Sequence, residues 1–243
     1  MLTVDKTRGW RPKLIHIRLA DGSSYQCYAP EDLYHIAFLK NMILRPSCYA
    51  CHFKLSHSQA DLTIGDFWGV ADTFPDMNDN KGISLVLPRT AAGWRIWKAL
   101  SPRLEVRTVD AEHALIRNST ARRSVKIPDR RERFFKEAFR DGALDLDVLE
   151  KLEAEPSPPP GTPSALPAWG PPPPAEPGLP VLYPSKEECC GCEACRAACP
   201  KGAIAMEPDG ETFLYPRIDA ALCVNCRKCQ RVCPIGGKRE KAQ

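Results

Sequence analysis

The 243-residue sequence lacks the usual marks of several large classes of protein. Apolar runs such as "ISLVL" fall far below the roughly 20 residues that a membrane-spanning helix needs, and no basic segment followed by an apolar stretch opens the chain. The expectation is a cytoplasmic protein with no membrane partner. The formal net charge of +4 is too small to demand nucleic acid or an anionic surface. Neither a G-x-G-x-x-G fingerprint nor a Walker A loop occurs, so a self-contained dinucleotide or nucleotide site is unsupported. "DMNDNKG" fails as a calcium loop, because counting from Asp76 puts Lys81 where the glycine belongs and Leu87 where the bidentate glutamate belongs.

What is present is cysteine and proline, 12 and 24 of them. With no secretory leader, twelve cysteines read as thiolate ligands in a reducing compartment rather than as disulfides. Cys189, Cys192, Cys195 and Cys199 follow C-x2-C-x2-C-x3-C with Pro200 behind, and Cys223, Cys226, Cys229 and Cys233 repeat it with Pro234 behind. In this pattern three thiolates wrap one four-iron cluster while the fourth crosses to the other. The spacing predicts two [4Fe–4S] clusters, one on Cys189, Cys192, Cys195 and Cys233, the other on Cys223, Cys226, Cys229 and Cys199. Zinc uses C-x2-C pairs too, but has no use for the third close cysteine or the C-P tail. Cys190 falls outside both sets, since using it breaks the first spacing.

Between Pro156 and Pro184 stand 13 of the prolines, a composition that favours extended polyproline II over helix or sheet. The predicted organisation is an α/β (α+β) N-terminal domain over 1–153, a disordered Pro-rich linker over 154–186, a small ferredoxin-like α+β domain over 187–237 and a tail over 238–243. In the first domain, alternating Ile15, Ile17 and Leu19 with a turn at Asp21-Gly22 into "SSYQCY" read as a β-hairpin. Pro30, Glu31 and Asp32 suit a helix start ahead of Leu33, Ile36, Ala37 and Lys40. "ISLVL" reads as a buried strand, Thr90 as the cap of a helix through "AAGWRIWKAL", "LEVRTV" as another strand, and 129–151 as two helical stretches around Gly142.

Cys48 and Cys51 form a lone C-x2-C pair, with Cys27, His52 and His57 as the nearest further ligands in sequence. Around the pair, "LRPSCYACHF", "ADLTIGDFWGV", "MNDNKGISLVLPRT" and "RRERFF" together resemble the C-terminal domain of the coenzyme F420 hydrogenase/dehydrogenase beta-subunit family, over most of 13–150. "ETFLYPRIDAALCVNCRKCQRVCPI" is similar to the ferredoxin-like segment of its bacterial members. Here that segment follows the C-terminal part instead of preceding it, and the Gly-Thr-Pro-Cys-Gln motif of the family's other half is absent from this sequence.

The resemblance implies an iron–sulfur electron-transfer protein or oxidoreductase subunit, passing electrons between a flavin (FAD or FMN) or deazaflavin (coenzyme F420) donor and the clusters. It implies a redox partner or completing subunit, a third metal site at Cys48 and Cys51, and cofactor contact at Asp66, Trp68, Lys81 and Gly82. A plainer reading puts Trp68 in the core, Gly65 and Gly82 in turns and Asp66 at a cap. Two alternatives stand beside it: a truncated or rearranged non-catalytic electron carrier, and a zinc- and nucleic-acid-binding N-terminal module fused to a ferredoxin. The second rests on "RRSVKIPDRRERFFKEAFR", whose default is a solvated amphipathic helix with Phe134, Phe135 and Phe139 on its buried side. On that default no nucleic acid is expected.

Overall fold

A computed structural model describes residues 2–5, 7, 9–11, 13–55, 57–140, 143–155 and 177–236. Most of the predicted linker, with Trp169, and the predicted tail lie outside the described residues, as do Asp141 and Gly142. The chain divides into two compact units, the first Met1–Ile36 with Phe53–Ser124, the second Ala37–His52 with Val125–Gln243. The Cys48 segment therefore shares a unit with the eight-cysteine segment.

In the first unit, β1 (Leu2–Asp5), β2 (Leu14–Arg18) and β3 (Ser24–Tyr28) form an antiparallel meander with Ile15 opposite Cys27. The β2–β3 turn closes where Asp21 accepts from the Ser23 amide at 2.9 Å. Asp32 caps α1 (Leu33–Leu39) by accepting from the His35 amide at 2.6 Å, and also accepts from the Tyr25 hydroxyl at 2.8 Å. That second bond holds the Tyr25 phenol protonated far above its ordinary range.

β4 (Leu62–Asp66) pairs antiparallel with β5 (Ser84–Pro88), and Phe67, Leu85, Ala114 and Leu115 pack into one core beside them. The "ISLVL" segment is thus a strand, but of its β5 residues only Leu85 is buried, because a two-stranded sheet covers so little. Thr90 caps α4 (Ala91–Leu100) through the Gly93 amide at 3.1 Å. Gly93 is required by close approach, since a Cβ there would lie 2.0 Å from the Asp61 carbonyl oxygen.

"LEVRTV" is not a strand. Among the described residues no strand pairs with it, Leu104 and Val106 are exposed, and Asp110 instead caps α5 (Ala111–Leu115). β-propensity without a partner edge does not make a strand.

In the second unit α2 (Pro46–Tyr49) carries Cys48, and α6 (Arg131–Ala138) packs on α7 (Asp147–Ala154) across a minimal hairpin of β6 (Phe139–Arg140) and β7 (Ala143–Leu144). Phe134, Phe135, Ala138, Val148, Leu149 and Leu152 are buried. The expectation of a solvated basic face fails at one position, because Arg131 is 0% exposed. Its guanidinium donates to both Glu211 oxygens at 2.8 and 2.7 Å, to the Tyr49 hydroxyl at 2.9 Å and to the Leu44 carbonyl at 2.9 Å. A buried cation persists only with such complete pairing. Burial pushes the Tyr49 phenol up to about 12. The side chain of Phe139 lies outside the description.

The cysteine-rich segment is α8 (Ala194–Ala197), a hairpin of β8 (Ile204–Pro208) and β9 (Leu214–Ile218), and α9 (Lys228–Arg231).

Candidate metal centre

The two cysteine repeats have the same backbone signature. Gly191 and Asn225, each two residues after the first cysteine, have φ of 70° and 49°; Glu193 and Arg227, each just after the second, have 59° and 56°. Two left-handed residues in a five-residue span curl the chain so that successive cysteines turn inward. Asparagine is among the few non-glycine residues that enter this region readily, which is why the second loop manages without glycine. By this alignment Cys190 corresponds to Val224, an exposed apolar position. Each fourth cysteine accepts a nearby amide: Cys199 Sγ from Ala203, four residues on, at 3.3 Å, and Cys233 Sγ from Gly236, three residues on, at 3.2 Å.

Two hollows result. One is lined by Cys189, Cys190, Cys192, Cys195, Cys229 and Cys233. The other is lined by Cys199, Cys223, Cys226 and Cys229. Cys229 borders both, but its electrostatic neighbours are Cys226 and Cys223, whereas those of Cys195 are Cys189, Cys192 and Cys233. Burial raises the thiols of Cys189 and Cys229, and pushes Cys190 and Cys195 up to about 11. Amides of Gly191, Arg196 and Gln230 pull the other way at Cys189, Cys195 and Cys229. Metal binding supplies the positive charge that makes thiolates stable in such sites.

Among the described residues no three His, Cys, Asp or Glu side chains converge tightly enough to hold a single ion. Nine cysteines line the two hollows, eight of them in the repeated spacing, and that donor chemistry fits a polynuclear group in each.

The structure also brings the Cys48 loop to the first hollow. α2 lies against the single helical turn Lys186–Glu188, and His52 faces Glu188 at 3.9 Å. Arg45, just ahead of Cys48, donates through Nε to the Cys189 carbonyl at 2.8 Å and through Nη2 to the Leu214 carbonyl at 2.7 Å, with Nη2 3.8 Å from Cys189 Sγ. Its guanidinium stands 4.1 Å over the Tyr215 ring. Sequence reasoning missed Arg45, Arg131 and Glu211; the placement of Arg45 three residues before a cysteine was the only available signal. Cys27, on β3, belongs to the first unit.

Asp66, Trp68, Lys81 and Gly82 all lie in the first unit, near the β4–β5 end. Trp68 is 46% exposed and meets Trp10 edge-on at 6.1 Å; the core position belongs to its neighbour Phe67. Asn118 donates to the Asp66 carbonyl at 2.7 Å and accepts from the Trp68 amide at 3.3 Å. Gly82 has φ of 93° and faces the Trp10 ring, and Lys81 is exposed beside Asp79 at 3.5 Å. Gly65 sits inside β4 rather than in a turn. In "RRERFF", Arg131, Phe134 and Phe135 are buried, which removes them from any nucleic-acid face. No helix among the described residues is long and apolar enough to cross a membrane.

Comparison with known proteins agrees in two places. Residues 6–113 match the family described as the C terminus of the coenzyme F420 hydrogenase/dehydrogenase beta subunit, so "RRERFF" falls beyond the match. Residues 188–236 match the 4Fe-4S dicluster domain. A ferredoxin-like protein in nif region from Trichormus variabilis is 36% identical over 61 residues, covering 22% of this chain and 49% of that protein, and its counterpart from Trichormus azollae gives the same figures. The chain spans about half the length of these relatives. No solved structure matches it. The chain thus has one segment similar to a 4Fe–4S dicluster domain and another similar to the C terminus of the F420 hydrogenase/dehydrogenase beta subunit.

Proposed function

We propose that the chain is an electron-transfer subunit or carrier of a multi-component oxidoreductase, passing single electrons between a flavin or deazaflavin donor and a partner protein. The observation that carries this is the pair of cysteine-lined hollows, the first bordered by Cys189, Cys190, Cys192, Cys195, Cys229 and Cys233, the second by Cys199, Cys223, Cys226 and Cys229. Cys189, Cys192, Cys195 and Cys233 hold one cluster in this reading; Cys223, Cys226, Cys229 and Cys199 hold the second. A [4Fe–4S] cluster supplies one-electron storage with little structural change. The protein's part is to fix the sulfurs, donate amide hydrogens to them and wall off water. Cys229, bordering both hollows, keeps the two sites adjacent.

The linear organisation at 1–153, 154–186 and 187–237, and a cytoplasmic setting, belong to the same proposal. Asp66, Trp68, Lys81 and Gly82 are the positions at which contact with FAD, FMN or coenzyme F420 is to be sought, supported by the exposure of Trp68, Lys81 and Gly82. Cys48 and Cys51 need ligands from outside the described residues to complete a third site.

Anaerobic purification followed by iron, zinc, flavin and F420-reduction assays tests the reading. About eight irons per chain with little flavin fits two four-iron clusters and an electron carrier. About twelve irons with stoichiometric flavin makes the chain a complete catalytic module. Zinc in place of iron overturns the proposal.

A further inference from the structure

We propose that Arg45 is a positioning residue that raises the reduction potential of the cluster held by Cys189, Cys192, Cys195 and Cys233. The inference rests on the ligand sets proposed above and on an asymmetry between the two repeats. Their backbones match at both left-handed residues, and each fourth cysteine accepts one backbone amide, so those features do not single out either site. Arg45 does. Its fork is fixed by the Cys189 and Leu214 carbonyls and by the Tyr215 ring, and its Nη2 reaches Cys189 Sγ at 3.8 Å.

Gly191 makes the room: a Cβ there would come 2.8 Å from Arg45 Nη1. The matching position in the second loop is filled by Asn225, whose amide donates to the Gly178 carbonyl at 2.9 Å. Arg227 and Lys201 border the second hollow, but both are exposed, where water screens their charge. Around the first hollow, Lys186 is paired with Asp209 and Arg196 with Glu193, each at 2.7 Å, while Glu188 faces His52. Arg45 is the half-buried cation whose polar contacts here are carbonyl oxygens and the Cys189 sulfur. One electron added to a cluster adds one negative charge, which a fixed guanidinium beside a ligand sulfur stabilises; the reduced form gains and the potential rises.

The test is an EPR-monitored redox titration of the full chain, after iron analysis has shown about eight irons per molecule. Arg45→Gln is expected to lower one of the two couples and leave the other in place. At the original midpoint the reduced-to-oxidised ratio should fall roughly tenfold, which is ~59 mV for a one-electron couple. Arg45→Lys keeps the charge without the fork and should restore part of the loss. Gly191→Asn, a residue the left-handed conformation tolerates, should displace Arg45 and reproduce the glutamine result with the charge still in the chain. Movement of both couples together, or of neither, with iron intact overturns the inference. Absence of iron from the unaltered protein would instead strike at the proposed function. If Arg45→Gln alone fails to retain iron, Gly191→Asn decides.

Discussion

The first unit packs Phe67, Leu85, Ala114 and Leu115 into one core cluster and closes its loops with polar bonds such as Trp10 to Asn80, 70 residues apart, and Arg11 to Asn80, 69 apart. The second unit buries a whole arginine and ties together segments 80 to 169 residues apart, through Arg131 to Glu211, Arg45 to Cys189 and Arg45 to Leu214. Both units bury apolar side chains, but the second adds a buried, charge-paired arginine and its cysteine-lined hollows. Local packing is robust to the loss of any one polar group, whereas long-range charged joints concentrate the stability of the second unit in a few atoms.

The largest contrast should come from the metal. Cys192→Ser is expected to lose one cluster and much of the hydrogen-exchange protection of 177–236, leaving the first unit's β4 and β5 amides protected; Cys190→Ser should change neither iron content nor protection. If Cys190→Ser is the damaging change, the alignment of Cys190 with Val224 is wrong.

Next in size is the buried joint. Glu211→Ala strands the Arg131 cation and should cost the second unit about 3–5 kcal/mol in denaturant unfolding. The same joint has a physical consequence for the connection: cleavage at a protease site engineered into 156–176 should leave the two fragments together on a sizing column, and adding Glu211→Ala should separate them. Release without the mutation would show that the joint is weak.

A change in the first unit should be smaller. Leu115→Ala removes a side chain from a core of few members and should cost about 2 kcal/mol, the low end for such truncations, without altering iron content. Smallest is the cap: Thr90→Ala should cost roughly 1 kcal/mol, read as earlier loss of protection in α4 alone.

Much of this was legible in the sequence where the signal is local. The hairpin of β2 and β3, the Thr90 cap and the strand at "ISLVL" follow from alternation and turn chemistry over a few residues. The regular cysteine spacing pointed to two interlocked sites in the same way. "LEVRTV" misled because propensity carries no information on whether a partner edge exists. Arg131 was unreadable for the opposite reason: in "RRERFF" three arginines look alike, and only the distant Glu211 distinguishes the buried one. Arg45 sits 144 residues from the Cys189 carbonyl it binds, beyond the reach of any periodicity.

The Arg131 joint also imposes an order on synthesis. Glu211 follows Arg131 by 80 residues, and at ≈ 5–20 residues per second the ribosome takes roughly 4–16 s to deliver it. Over that interval α6 has its phenylalanines ready to bury but no anion for its guanidinium, and burying an unpaired cation is forbidden by its desolvation cost. The helical hairpin of α6 and α7 must wait, half docked, for the β8–β9 turn. The first unit's residues end at Ser124, so all of them are made before Glu211 emerges.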